Sequence, residues 1–134
     1  MGGELMKTAL DVFNKVSEHL LTQNERSLDT FGDCLYRSAE GLACAVGCLI
    51  KDEFYSEDLE HIYAVNSYTD DWQKPIRNAL ELSGVPINDE IKYLVQKLQV
   101  IHDSKQPEFW RKELAKVEID FFWEEKYENN IRCI

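Results

Sequence analysis

Leu42-Ala43-Cys44-Ala45-Val46-Gly47-Cys48-Leu49-Ile50 is the stretch that decides the fold of this sequence. It is apolar on every side, and most of its residues are small. A helix that is apolar all round is a buried helix. Small side chains also let neighbouring helices approach closely, so we expect residues 42–50 to form a helix at the centre of the core. A buried strand is the alternative, but Ala, Gly and Cys suit a helix at least as well.

Amphipathic helices are predicted on both sides of this segment. Residues 6–24 repeat apolar side chains at helical spacing, from Ala9 to Leu20. Downstream, helices are predicted near residues 56–62, over about 75–83, from the cap Asn88 to about 104, and from Pro107 onward. The predicted fold class is therefore mainly α, a compact helical domain of about five helices.

Residues 27–37 are the exception, because they show no helical period. Gly32-Asp33 offers turn chemistry, and residues 34–37 have the short, β-compatible composition of a hairpin arm. The sequence thus predicts one short β-hairpin over about residues 27–37. A two-stranded hairpin is marginal alone, so it must pack on the helices.

Length and charge limit the class of protein. The 134 residues suit a single domain spanning 1–134, with residues 1–5 expected to be a disordered tag or leader and 124–134 a frayed tail. No apolar run approaches the ~20 residues of a membrane span, and no secretory signal opens the chain. The net charge of −10 argues against direct binding of nucleic acid or anionic membranes. We expect a cytoplasmic protein.

The four cysteines, Cys34, Cys44, Cys48 and Cys133, are expected to be reduced thiols in that compartment. They lack the Cys-x-x-Cys pair with which zinc sites usually begin, even when His102 is counted as a further ligand. The simpler interpretation is that they are small buried hydrophobic residues. We therefore predict neither a metal site nor a cofactor.

A catalytic site around His102 is one interpretation. Cys34 would act as the nucleophile, His102 as the base and Asp103 as the group that orients it. Burial makes Cys44 and Cys48 unreactive by comparison. Paired carboxylates elsewhere could do acid–base work or hold a cation, but most are explained as helix N-terminal charges or solvated surface. This small hydrolase is an alternative to the main prediction.

A ligand site is predicted at the hairpin. Arg26, Tyr36 and Arg37 lie on it, and His102 is placed beside them. Arginine binds carboxylates and phosphates in bidentate fashion, and Tyr can stack on a base. The set favours a small anionic, nucleotide-like ligand, although both arginines could instead pair with the surrounding carboxylates.

A protein-binding surface is predicted in the acidic, aromatic stretch of residues 53–72. Aromatic side chains are enriched at interface cores, and acidic neighbours suit a basic partner. The residues concerned are Tyr55, Tyr63, Tyr68 and Trp72. The alternative is that several of these aromatics cap the core.

Three signatures carry a resemblance: Tyr36-Arg37, Cys44-Ala45-Val46-Gly47-Cys48-Leu49-Ile50 and Ile101-His102-Asp103. On these residues the chain resembles small uncharacterised proteins of phage, prophage and bacterial genomes, over about residues 10–120. The resemblance implies a small phage-encoded accessory protein in the cytoplasm of a host cell. It implies no known activity and no site residue. Proteins in that setting often bind and block a host factor or sequester a host signal.

Together these observations predict a non-enzymatic accessory binding protein that acts on a basic host protein or on a small anionic ligand. Two alternatives remain open. One is the hydrolase using Cys34 or a carboxylate cluster with His102. The other is an acidic mimic of nucleic acid, which would place carboxylates in rows near phosphate spacing.

Overall fold

Five α-helices make up most of the described chain, which in this computed structural model comprises residue 6 and residues 8–65 and 71–123. They are α1 (Ala9–Gln23), α2 (Ala45–Leu49), α3 (Lys74–Leu82), α4 (Asp89–Ser104) and α5 (Trp110–Trp123). Short 3₁₀ helices cover Asp52–Phe54, Glu57–His61 and Pro107–Phe109. The prediction of a compact, mainly α fold is confirmed. The expected leader, 1–5, and tail, 124–134, lie outside the described residues.

The helix ends follow chemistry that is local in the sequence. Thr8 begins α1 through a reciprocal capping box with Asp11, and Asn24 ends it in the left-handed conformation at φ 53°. Asn88 caps α4 by accepting a hydrogen bond from the Ile91 N–H at 2.8 Å. The bounds of α3 and α4 therefore agree closely with the prediction.

The helix α2 is the buried centre of the core, and α1 and α4 pack against it. Gly47 is required there, because a Cβ at this position would lie 1.9 Å from the carbonyl oxygen of Tyr36. The predicted burial is confirmed, but the helix covers only 5 residues. The helix begins later than predicted because the backbone before it makes hydrogen bonds outside the helix. The Ala43 N–H donates to Gln23 Oε1 at 2.9 Å, and Cys44 Sγ caps the helix by accepting the Gly47 N–H at 3.3 Å.

The predicted β-hairpin over residues 27–37 is wrong, because the described residues contain no β-strand. This segment pairs with itself through a single antiparallel bridge between Leu28 and Cys34. A longer β-ladder does not form because the Glu60 side chain accepts the next two backbone N–H groups of the segment. The N–H groups of Tyr36 and Arg37 donate to the Glu60 carboxylate at 2.9 and 3.0 Å. We name residues 27–36 the turn segment.

The acidic, aromatic stretch after α2 contains two of the 3₁₀ helices, Asp52–Phe54 and Glu57–His61. The second of these presents Glu60 to the turn segment. Ser56 begins it by accepting the Asp58 N–H at 3.2 Å, as the sequence predicts for a helix start. Among the described helices, none combines the length and the apolar character needed to cross a bilayer.

Candidate functional site

An open-sided cavity of about 530 Å³ lies between the turn segment, the 3₁₀ helix Glu57–His61 and α4. Four carboxylates line it, those of Asp29, Asp33, Glu60 and Asp103. Its other lining residues are Cys34, Leu35, Tyr36, Cys44, His61, Ile62, Tyr63, Ala64 and Gln99. Within the described part of the chain, no Lys or Arg lines it. We name it the acidic cavity.

The chemistry of the turn segment positions two of these carboxylates. Asp29 Oδ1 accepts the N–H groups of Phe31 and Asp33 at 2.8 and 2.9 Å, as in an Asx turn. Gly32 supplies the φ of +86° that the turn needs. The turn leaves Asp33 exposed at the rim of the cavity and Phe31 88% exposed at its tip.

Glu60 fastens the turn segment to the 3₁₀ helix. Its two oxygens accept the N–H groups of Tyr36 and Arg37, and the Tyr55 hydroxyl donates to Oε2 at 2.6 Å. Burial and the hydrogen bond to Glu60 raise the pKa of Tyr55, so this hydroxyl stays protonated and donates. The Tyr36 hydroxyl donates to the Ile62 carbonyl at 2.6 Å. These bonds hold one wall of the acidic cavity in a fixed position.

A buried histidine joins α4 to the turn segment. His102 is 0% exposed, and its ring stacks on Trp110 with the centroids 5.7 Å apart. The Ser27 N–H lies 2.9 Å from Nε2, and Asp103 Oδ1 lies 2.7 Å from Nδ1. Because a backbone N–H can only donate, Nε2 accepts and carries no proton. The ring proton is therefore on Nδ1, which donates to Asp103, and the ring is neutral.

Gln99 extends this network into α2. Its Nε2 donates to Asp103 Oδ1 at 2.8 Å, and its Oε1 accepts the N–H of Val46 at 2.9 Å. At the other end, Ser27 Oγ donates to the Leu42 carbonyl at 3.3 Å. One polar network thus connects the turn segment, α2 and α4 beside the acidic cavity.

Cys34, His102 and Asp103 bring a thiol, an imidazole and a carboxylate within 4.8 Å of one another. The orientation of the imidazole opposes metal binding by this cluster. A metal on Nδ1 requires the proton on Nε2, where it would face the Ser27 N–H, and a metal on Nε2 must displace that N–H. The cluster therefore offers no histidine nitrogen with a free lone pair. The absence of a metal site stays a prediction.

The thiol of Cys34 is a poor nucleophile in this arrangement. Burial of the sulfur, the charge of Asp103 and a hydrogen bond to Asp103 together raise the pKa of Cys34 to about 12. The charge of Arg26 lowers the pKa of Cys34, but by less than the other effects raise it. The thiolate is the reactive form of cysteine, and His102 Nε2 is already bonded. The three residues predicted for the hydrolase do come together, but without an activated nucleophile or a free base.

The residues predicted to bind an anionic ligand are separated. Tyr36 lines the acidic cavity, Arg37 lines a second hollow, and Arg26 and His102 line neither. Arg37 is also engaged already, because its guanidinium donates to the Asp52 carboxylate at 2.5 Å. The predicted set therefore does not form one site in the described chain.

Of the described aromatic residues that were predicted to contact a partner protein, Tyr63 is the exposed one. It is 85% exposed and lines the acidic cavity. Trp72 is buried in the core, Tyr55 is half-buried, and Tyr68 lies outside the described residues. Phe31, which the sequence analysis did not single out, is as exposed as Tyr63.

Three of the four cavity carboxylates, Asp29, Asp33 and Glu60, were not predicted from the sequence as site residues. Asp29 and Asp33 lie on either side of Gly32. Two aspartates four residues apart around a glycine are typical of a turn, and this pattern was the available signal. Glu60 had no such signal. Its backbone partners, Tyr36 and Arg37, lie 24 and 23 positions earlier, and no local pattern encodes that contact.

Comparison with known proteins identifies no family. No protein-family model matches the chain, and no curated protein or solved structure matches it at a significant level. The resemblance to phage and bacterial proteins therefore stays a prediction, and the acidic cavity is the basis for a functional assignment.

Proposed function

We propose that the chain is a non-enzymatic binding protein whose acidic cavity takes a basic segment of a partner protein. The supporting observation is the convergence of Asp29, Asp33, Glu60 and Asp103 on a cavity that no Lys or Arg of the described residues lines. Basic side chains would supply the missing counter-charge. In the phage setting that the resemblance implies, the partner is a host protein.

Electrostatic attraction acts both at encounter and in the complex. The hydrogen-bond partners of Asp103 include the uncharged side chains of Gln99 and His102, and the net charge of −10 extends the negative field beyond the cavity. Complementary fields raise association rates and are screened by salt. We therefore expect fast, salt-sensitive binding.

Two exposed aromatic residues lie beside the carboxylates. Phe31 is at the tip of the turn segment, and Tyr63 lines the acidic cavity. Ring faces attract guanidinium groups more often than ammonium groups, and large aromatics are frequent hot spots of protein interfaces. A segment carrying arginine would use the carboxylates and the rings together, so we expect arginine to be preferred to lysine.

An anionic ligand does not suit the acidic cavity, because like charges repel. The alternative of a small anionic ligand belongs to the second hollow, of about 490 Å³, where the cations are Lys15, Arg37 and Lys51. Asp52 and Glu53 also line it and reduce its positive charge. Calorimetry with nucleotides and pyrophosphate, on the wild type and on Lys51→Gln, tests this alternative. No binding, or equal affinity in both proteins, would remove it.

Fluorescence anisotropy with a labelled octa-arginine peptide tests the proposed function. We expect tighter binding of octa-arginine than of octa-lysine, no binding of octa-glutamate, and a steep loss of affinity as salt is raised. Binding of octa-glutamate, or binding of octa-arginine that salt does not weaken, would contradict the proposal.

Asp33→Asn and Tyr63→Ala locate the binding on the acidic cavity. Each is expected to weaken octa-arginine binding by about 3- to 10-fold. Glu81→Gln and Leu82→Ala are the matched controls, because both side chains are exposed on α3 and line no part of the cavity. Equal losses in the cavity variants and the controls would show that only the net charge of the chain attracts the peptide.

A further inference from the structure

We infer that His102 makes the acidic cavity acid-sensitive: protonation at Nε2 breaks the bond to Ser27 and releases the turn segment that carries part of the cavity wall. The consequence for binding rests on the proposed function, because it concerns the same cavity. The structural step stands without it.

The buried hydrogen bond between Ser27 and His102 can run in only one direction. The N–H of Ser27 donates to His102 Nε2 at 2.9 Å, and both residues are 0% exposed. A proton added to Nε2 would make this nitrogen a donor as well. The Ser27 N–H and the new Nε2–H would then point at each other across 2.9 Å. A buried donor without a partner is costly, so the Ser27 backbone must move away.

The other two histidines of the chain do not have this conflict. His19 Nε2 lies 2.9 Å from the carbonyl oxygen of Ala43, which can only accept, so this nitrogen already donates. Protonation of that ring keeps the bond. His61 is exposed and lines the acidic cavity, where protonation adds charge without breaking a buried bond.

The groups around the imidazole favour this outcome over a general collapse. Asp103, on α4, faces Nδ1 and keeps its hydrogen bond in either protonation state. Cys34 faces the same cluster from the turn segment with a protonated thiol, and Arg26 and Asp33 act on that thiol. From α5, Trp110 contributes only an uncharged ring face. Protonation therefore breaks the bond to the turn segment and keeps the bond within α4.

Ser27 anchors the turn segment, so its release reaches the cavity. The Leu35 N–H donates to the Ser27 carbonyl at 2.8 Å, and the bridge between Leu28 and Cys34 lies between these residues. Asp29 and the exposed rim of the cavity belong to the same segment. Movement of Ser27 therefore displaces the wall that holds the carboxylates of the turn.

Amide hydrogen exchange on the full chain, measured at about pH 7.5 and at about pH 5.5, tests the structural step. After correction for intrinsic exchange, we expect the Ser27 and Leu35 amides to lose protection by about tenfold in acid, relative to Val16 in α1. Octa-arginine affinity, measured in parallel, is expected to fall by about fivefold or more.

His102→Gln and His61→Gln assign the response to one histidine. Glutamine at position 102 keeps an acceptor for Ser27 and does not titrate, so the acid response is expected to disappear. His61→Gln, the matched control, is expected to retain it. The reverse pattern, or a full response in both variants, would overturn the inference.

Nitrogen chemical shifts of the imidazole ring in the wild type provide a check that does not depend on variant folding. They are expected to show an unprotonated Nε2 at neutral pH, and a protonated Nε2 would overturn the inference. Exchange and binding also separate the two proposals. Acid-induced loss of protection with no peptide binding at either pH refutes the proposed function alone. Equal binding at both pH values with full protection refutes the inference alone.

Discussion

Cys34 is an exposed thiol whose surroundings suppress its reactivity. Partial burial of the sulfur and the carboxylate of Asp103 raise its pKa to about 12, so little thiolate exists at neutral pH. We expect iodoacetamide to alkylate Cys34 about 100-fold more slowly than an unstructured cysteine at about pH 8. The rate is expected to rise about tenfold for each pH unit above that. Peptide mapping by mass spectrometry follows this cysteine separately from the other three.

Asp103→Asn is the matched variant for this measurement. The amide oxygen still accepts a hydrogen bond from His102, but the negative charge that opposes thiolate formation is gone. Alkylation of Cys34 is expected to be faster in this variant. Rapid alkylation of the wild type at neutral pH would show that the thiol is not held in its protonated form.

Gly47 is the residue whose size matters most in α2. A Cβ there would lie 1.9 Å from the backbone oxygen of Tyr36, and that oxygen also accepts the Cys44 N–H at 3.1 Å. Since backbone must shift to relieve the clash, Gly47→Ala is expected to lower the free energy of unfolding by about 3 kcal/mol. Gly32→Ala is the control, because it meets no atom within 4 Å but has a φ of +86°. It is expected to cost about 1 kcal/mol in urea unfolding. Similar losses in both variants would contradict the close approach of α2 to Tyr36.

At the scale of the elements, Glu60 replaces the strand pairing that the sequence predicted. Its two carboxylate oxygens accept three hydrogen bonds, from the N–H groups of Tyr36 and Arg37 and from the Tyr55 hydroxyl. In Glu60→Gln an amide NH₂ must face at least one of these donors, so we expect a loss of about 2 kcal/mol in the free energy of unfolding. Glu57→Gln, exposed in the same 3₁₀ helix, is expected to change it by less than about 0.5 kcal/mol. Urea unfolding compares the two, and equal losses would remove this role of Glu60.

The same elements show what could be predicted from the sequence. The caps Thr8 and Asn88 lie next to the helices that they begin, so local pattern was sufficient for most of the helical fold. Glu60 accepts a backbone hydrogen bond from the turn segment although it lies 24 positions after the donor. The hairpin prediction failed because no local pattern encodes this contact. The bond between Ser27 and His102 spans 75 positions, so the residue pair His102-Asp103 was recognisable but its function in the network was not.

At the scale of the whole molecule, no Lys or Arg of the described residues lines the acidic cavity, and five of the described lysines line two other hollows. Lys15 and Lys51 line the second hollow, and Lys97, Lys105 and Lys116 line a groove between α4 and α5. The cavity carboxylates therefore meet incoming charge without competition from neighbouring lysines. This uneven distribution of charge is the kind of field that would orient the basic partner we propose before it makes contact.

Two cysteine thiols that stay protonated in the fold are expected to lower the free energy of unfolding at alkaline pH. Burial raises the pKa of Cys44 above its ordinary value, and burial likewise raises the pKa of Cys48 to about 12. In an unfolded chain a thiol ionises near about pH 8.5. Because the folded chain keeps protons that the unfolded chain loses, rising pH favours unfolding. The stabilisation is complete below about pH 8 and decreases from about pH 9 toward pH 12, by up to about 1.4 kcal/mol per pH unit for a fully buried thiol.

Cys44→Ser measures the contribution of one such proton. Cys44 is 1% exposed, and its sulfur caps α2 by accepting the Gly47 N–H. A serine hydroxyl caps the helix in the same way and does not ionise in this range. Urea unfolding under reducing conditions, between about pH 8 and pH 11, is expected to show a shallower decrease for the variant than for the wild type. The difference in slope should approach about 1.4 kcal/mol per pH unit above pH 9. Parallel decreases in the two proteins would mean that the fold does not hold the Cys44 proton, and that the alkaline loss originates in other groups.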